Sequence, residues 1–163
     1  MSDNPYTPPE AVVADQAPAP GSPIKAVALG MLTDIGGSIV VGGVLSIVYA
    51  IVLAQQGLTP EQVMDAIKNV PILSPFGLIS TAMGLGFSFL GGYVCARIAK
   101  RSELRMGAVM AVLNTVLGLL LSGDQTSAPK LIVLVLLSIA AVMIGSWKGR
   151  VKNWYLAHPN YVG

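Results

Sequence analysis

Ionisable and reactive side chains are scarce in this sequence. Charged residues occupy 11% of its 163 positions, against roughly 25% in an ordinary soluble domain. There is one cysteine, Cys95, and one histidine, His158. A single thiol excludes an internal disulfide, and Cys95 reads as packing filler near a helix end. With the only histidine in the C-terminal tail, a Ser-His dyad inside the fold, an H-E-x-x-H zinc site and a Cys/His metal cluster are all excluded. The expectation is a non-catalytic protein with no cofactor and no metal.

What the sequence has instead is apolar runs, with 53% hydrophobic residues overall. About 20 mostly apolar residues cross the hydrocarbon core as a helix. Four segments approach or meet that length: Lys25 to Ala54, with a strictly uncharged part from Ile35; Pro75 to Ala96; Met106 to Gly123; and Leu131 to Trp147. Backbone groups in a bilayer find no water, so each is read as a helix. The expected fold is all-α, a four-helix transmembrane bundle with helices at about residues 25–54, 75–97, 105–123 and 130–147.

Eight of the ten basic residues fall on one side of such a bundle: Lys25, the group Arg97, Lys100, Arg101 and Arg105, and the group Lys148, Arg150 and Lys152. By the positive-inside bias both termini are cytoplasmic. The net charge of +2 follows from topology and gives no support to a nucleic-acid partner. Trp147, Trp154 and Tyr155, interleaved with the last basic group, read as an interfacial anchor in a cytoplasmic tail over 148–163.

Residues 1–23 hold six of the eleven prolines, three acids and no base. Such a leader cannot bury enough apolar surface to fold alone, and disorder is expected. Within it, Asn4, Pro5, Tyr6, Pro8 and Pro9 form a proline-rich motif that an aromatic-lined groove of a partner would hold. An NPYxPP start ahead of a hydrophobic domain resembles the leaders of small, functionally uncharacterised bacterial multi-pass inner-membrane proteins. The stretch GGYVCARIAKRSELRMGAVMAVL, Gly91 to Leu113, is similar to the second-to-third helix hairpin of some of them. The resemblance implies a bacterial inner-membrane location and carries no chemistry.

The first connection differs from the others. Thr59, Pro60 and Gln62 spell a helix start with a capping box, and Val63, Ala66, Ile67 and Val70 then share one face. A short amphipathic helix over about 60–70, on the periplasmic surface, is expected.

The stretch GLGFSFLGG from Gly84 raises the question of a phosphate-binding loop. A dinucleotide fingerprint must follow a strand and open a helix, and a Walker motif needs Gly-Lys-Ser/Thr; neither condition holds. A period of four fits better. Ser38, Gly42 and Ser46 in the first helix, and Gly84, Ser88, Gly92 and Ala96 in the second, form ridges of small residues that let backbones approach closely in lipid. The two ridges are expected to pack on neighbouring helices, plausibly each other, whereas the Leu/Ile/Val-rich fourth helix is expected to face lipid most.

Asp34 is the one ionisable residue in the apolar runs, where such a group costs at least about 2.5 kcal/mol at mid-membrane. If lipid begins at Lys25, Asp34 lies about 13 Å deep, with Asn114 or a base such as Arg97 as partner. If lipid begins at Ile35, it sits among headgroups. The uncharged run from Ile35 suffices to span, which favours the shallow placement. The leading functional expectation is a scaffold or accessory subunit that binds the bilayer and other membrane proteins, or itself. The alternative is a small oligomeric transporter or channel with Asp34 and Asn114 near the pathway.

Overall fold

A computed structural model of the chain describes residues 21–122 and 128–158. The leader motif at Asn4 to Pro9 lies outside them. The described residues form helices and no strands: α1 (Pro23–Met31), a five-residue π-helical turn (Leu32–Gly36), α2 (Gly37–Gln55), α3 (Pro60–Lys68), α4 (Pro75–Ala99), α5 (Glu103–Ser122) and α6 (Ala128–Ala157). Four stretches are long and apolar enough to cross a membrane: Pro23–Gln55, Pro75–Ala99, Glu103–Leu120 and Leu131–Ala157. By length and composition this is a multi-pass membrane protein. Ile39, Ile47, Val112 and Leu136 are exposed on its outside, as lipid-facing side chains are.

Three helices begin with the same device, a hydroxyl residue followed by proline. Ser22, Thr59 and Ser74 accept from Lys25 N, Gln62 N and Gly77 N respectively, with Pro23, Pro60 and Pro75 at the first helical position. The side chain satisfies an orphan amide, while proline supplies a preset φ and has no amide to satisfy. In α3 the capping box is complete, because Gln62 Oε1 also accepts from Thr59 N at 2.9 Å. Val63 is buried and Ala66, Ile67 and Val70 are half-buried, with Glu61, Asp65 and Lys68 outward. The amphipathic helix packs against α2.

α4 is the centre of the bundle, with its most extensive contact to α6 and the next to α1. The pair Gly91-Gly92 explains how one helix serves two close neighbours. Successive residues point about 100° apart around a helix, so each glycine opens a different side. A Cβ at Gly91 would meet Gly30 O of α1 at 2.7 Å, and one at Gly92 would collide with the backbone of Val142 in α6. Only glycine permits either approach, and in lipid such close backbone packing is what holds helices together.

The expectation that the fourth helix faces lipid most is overturned. Val142, Gly145, Ser146 and Gly149 are buried, and Cβ atoms at Gly145 and Gly149 would run into Phe89 O and Ala96 Cβ of α4. Ala141, Gly145 and Gly149 are the helix's own four-residue ridge, hidden in the sequence by the Leu/Ile/Val run before it and the basic tail after it. α6 also continues past Trp147 to Ala157, so most of the basic aromatic tail is an extension of that helix.

The two predicted ridges do not run the full length of one contact. Ser88, Gly92 and Ala96 are buried, the last two against α6. At Gly42 and Gly84 an added Cβ would meet nothing within 4 Å, and Ser38 and Ser46 are half-exposed. The π turn supplies the reason. A π bulge inserts one residue into a helix, so side chains after Gly36 are rotated away from the line that Gly30 and Asp34 begin.

The α4–α5 hairpin turns through two non-glycine residues with left-handed backbone, Lys100 (φ 52°) and Ser102 (φ 55°). Such a conformation costs roughly 1–2 kcal/mol for a residue with a Cβ. Ser102→Gly is expected to stabilise the protein by about 1 kcal/mol, measured by unfolding in mixed micelles with increasing denaturing detergent. No change would mean that the turn is not held in this conformation.

Candidate functional site

The π turn places Asp34 where an unbroken α-helix would not. Thr33 Oγ1 donates to Leu29 O at 2.8 Å, a back-bond typical of bent helices. Asp34, at the middle of the turn, is 6% exposed. It points into the bundle, where two other helices meet it.

Ser88 Oγ of α4 donates to Asp34 Oδ1 at 3.1 Å, and Asn114 Nδ2 of α5 donates to Asp34 Oδ2 in a short bond. Ser138 Oγ of α6 lies 3.3 Å from Ser88 Oγ. A hydroxyl has one hydrogen. That of Ser88 is committed to the carboxylate, so Ser138 is the donor in the second bond. A relay Ser138→Ser88→Asp34 results, with Asn114 on the other carboxylate oxygen. All four membrane-length helical stretches contribute one residue each.

The depth of this cluster bears on the two placements of Asp34. Ser88 is near the middle of the 25-residue α4 and Asn114 near the middle of the 20-residue α5. Asp34 is therefore level with the midpoints of its partners' helices. Asn114 is its partner. Arg97 is not: its Nη1 donates to Asn153 Oδ1 at 2.7 Å, near the far end of α4.

Packing above and below the cluster is unequal. Toward the Arg97 end, Ala26, Cys95, Met110 and Val142 are fully buried. Toward the α3 end the helices part. An open cleft of about 350 Å³ is lined by Asp34, Ser38, Ser88, Asn114 and Ser138. Through Ser38, Ser88 and Ser138 it adjoins a second cleft of about 390 Å³, reaching Ser80, Thr81 and Gly84. Ile35, Ile39, Leu85, Leu117 and Leu134 complete the lining, so the recess is a largely apolar cleft that carries a few hydroxyls and has the Asp34 carboxylate at its inner end. One acceptor at that end, Asn114 Oδ1, is buried without a hydrogen-bond partner among the described residues.

The sequence points to Asp34, Asn114 and Ser88, but to Ser88 only as a small packing residue. Ser138 escapes it, although it is the one hydroxyl between Leu131 and Gly145, and an isolated polar residue in so apolar a run is itself a signal. Among the described residues no group of three His, Cys, Asp or Glu comes together to hold a metal. No protein family matches the chain, and no curated protein or solved structure matches it either.

Proposed function

We propose that the protein is a small cation carrier or channel of the bacterial inner membrane, with protons or Na⁺ as the cation. The observation that carries this reading is the buried Asp34 carboxylate, held by Ser88 and Asn114 at the inner end of an open cleft. An ionisable group at such depth costs free energy, and its retention points to ions or protons that use it. Oxygen atoms from a carboxylate, two hydroxyls and an amide are hard ligands suited to Na⁺ as well as to a proton relay. A recess open at one end and packed shut at the other is one of the two states that alternating access requires. The positive-inside bias orients the open end toward the periplasm and both termini toward the cytoplasm.

A second reading is favoured by the empty space beside Gly42, Gly84 and Gly118. Small residues facing a gap accept a helix, and a second copy or a partner subunit seated there would make the chain an accessory component. The proline-rich leader is the natural second point of attachment in that case.

The test is flux through the purified full chain in vesicles of neutral lipid, with a pH or Na⁺ gradient imposed and followed by an entrapped dye. Dissipation faster than in empty vesicles is expected. A folded protein that leaves both gradients at the empty-vesicle rate overturns the carrier reading. Crosslinked partners that disappear when residues 1–23 are deleted would then establish the accessory one.

A further inference from the structure

We infer that the basic end of the bundle carries a binding site for a phosphate group, separate from the Asp34 recess. An open cavity of about 490 Å³ lies between the end of α4 and the extension of α6. Arg97, Lys100 and Arg150 line it, with Glu103, Asn153 and Trp154. Three cations against one carboxylate leave a surplus of two positive charges around one concavity. A phosphate carries one to two negative charges, so it balances that surplus.

The site is organised and not merely charged. Asn153 accepts from Arg97 Nη1 at 2.7 Å and donates to Ala96 O at 2.9 Å and to Glu103 Oε1 at 3.4 Å. One amide thus fixes the guanidinium, ties it to the end of α4 and holds the carboxylate aside. The guanidinium has five N-H donors in a planar fork, and the fork matches phosphate geometry. Lys100 is set at the cavity rim by its left-handed backbone, a strained conformation of the kind that persists at ligand sites. Trp154, exposed at the mouth, belongs to the residue type that settles at headgroup level.

The positive-inside bias accounts for basic residues on this side. It does not account for three of them converging on one cavity while Lys148 and Lys152, on the same helix, do not line it. Basic pockets at the ends of membrane helices take anionic headgroups. The shared chemistry is a phosphate monoester or diester, from an anionic lipid or from free phosphate.

The experiment titrates the full-length protein in neutral detergent micelles with phosphatidylglycerol in one arm and inorganic phosphate in the other, reading tryptophan fluorescence. Saturable binding is expected in at least one arm; the lipid arm alone identifies a headgroup site, and the phosphate arm a soluble anion. Arg150→Gln is expected to weaken it about tenfold or more, as is Arg97→Gln. Arg150 is exposed and makes no side-chain hydrogen bond among the described residues, so its variant remains informative if the Arg97 variant does not fold. The paired control Lys148→Gln with Lys152→Gln removes more charge from the same helix and should leave affinity within about twofold. Equal losses in control and Arg150 variant, or no saturable signal in either arm, overturn the site.

Discussion

Gly92→Val is expected to destabilise the folded bundle by about 3 kcal/mol, at or beyond the upper end of overpacking penalties. The Cβ it adds meets the Val142 backbone, and backbone has no rotamer by which to yield. α4 and α6 must separate, and this is the most extensive helix contact in the protein. Separation also breaks the bond from Ser146 Oγ to Gly92 O, 3.2 Å long and fully buried. Gly84→Val makes the same substitution two ridge positions away, where an added Cβ meets nothing within 4 Å, and is expected to cost less than about 1 kcal/mol. Unfolding of both variants in mixed micelles checks the contrast. Equal losses would show that the two glycines have equivalent surroundings.

The second large effect concerns Asp34. Asp34→Ala removes the acceptor for Ser88 Oγ and Asn114 Nδ2 together. Losing a partner for a buried donor costs about 1–3 kcal/mol in soluble proteins, whereas interhelical hydrogen bonds in membranes average nearer 0.6 kcal/mol. Two such losses and a small void give about 2 kcal/mol. Asp34→Asn keeps the volume and one acceptor oxygen and should cost less than about 1 kcal/mol. The same unfolding measurement separates them. A gain in stability for Asp34→Ala would mean that relief of burying the carboxyl group outweighs the two lost hydrogen bonds.

These two sites mark what the sequence could and could not disclose. The start of α3 was legible because a cap is local: Thr59, Pro60 and Gln62 need no knowledge of neighbours, and the same hydroxyl-proline pair at Ser22 and Ser74 was there to be read but was not. The small ridge on α4 was legible as a ridge, since a period of four is local too. Which helix it meets was not, because Ala141 and Gly145 follow a Leu/Ile/Val run that dominates the reading of α6, and Gly149 falls between Lys148 and Arg150 in what reads as the basic tail. The π turn was the least legible element. No residue pattern marks Leu32–Gly36 as π-helical, yet its inserted residue sends Asp34 inward and turns Gly42 away from α4. For Asp34 the sequence framed two depths and named Asn114 as the deep partner. The length of the uncharged run after it favoured the shallow one, whereas Ser88 and Asn114 put it level with the midpoints of their helices, because a run long enough to span does not fix where the span begins.

The cluster also explains why the bundle is tight on one side of Asp34 and open on the other. The close backbone approaches at Gly30, Gly91, Gly92 and Gly145 lie on the Arg97 side or level with it; beyond it Gly37 still packs on the Phe87 ring, whereas Gly42, Gly84 and Gly118 face space. Small residues lining a gap leave room for motion or for another helix, and Ser38, Ser88 and Ser138 set hydroxyls along an otherwise largely apolar cleft.

The most direct measurement is cation flux through Asp34→Asn and wild-type protein in the same vesicles, at equal incorporation and with the fold of each checked by its unfolding curve. Wild-type protein should dissipate the imposed gradient, and the variant, folded but without its ionisable group, should do so about tenfold more slowly or not at all. Equal flux through the two proteins would contradict the account, because the carboxylate at the end of the recess would then have no part in what crosses the membrane.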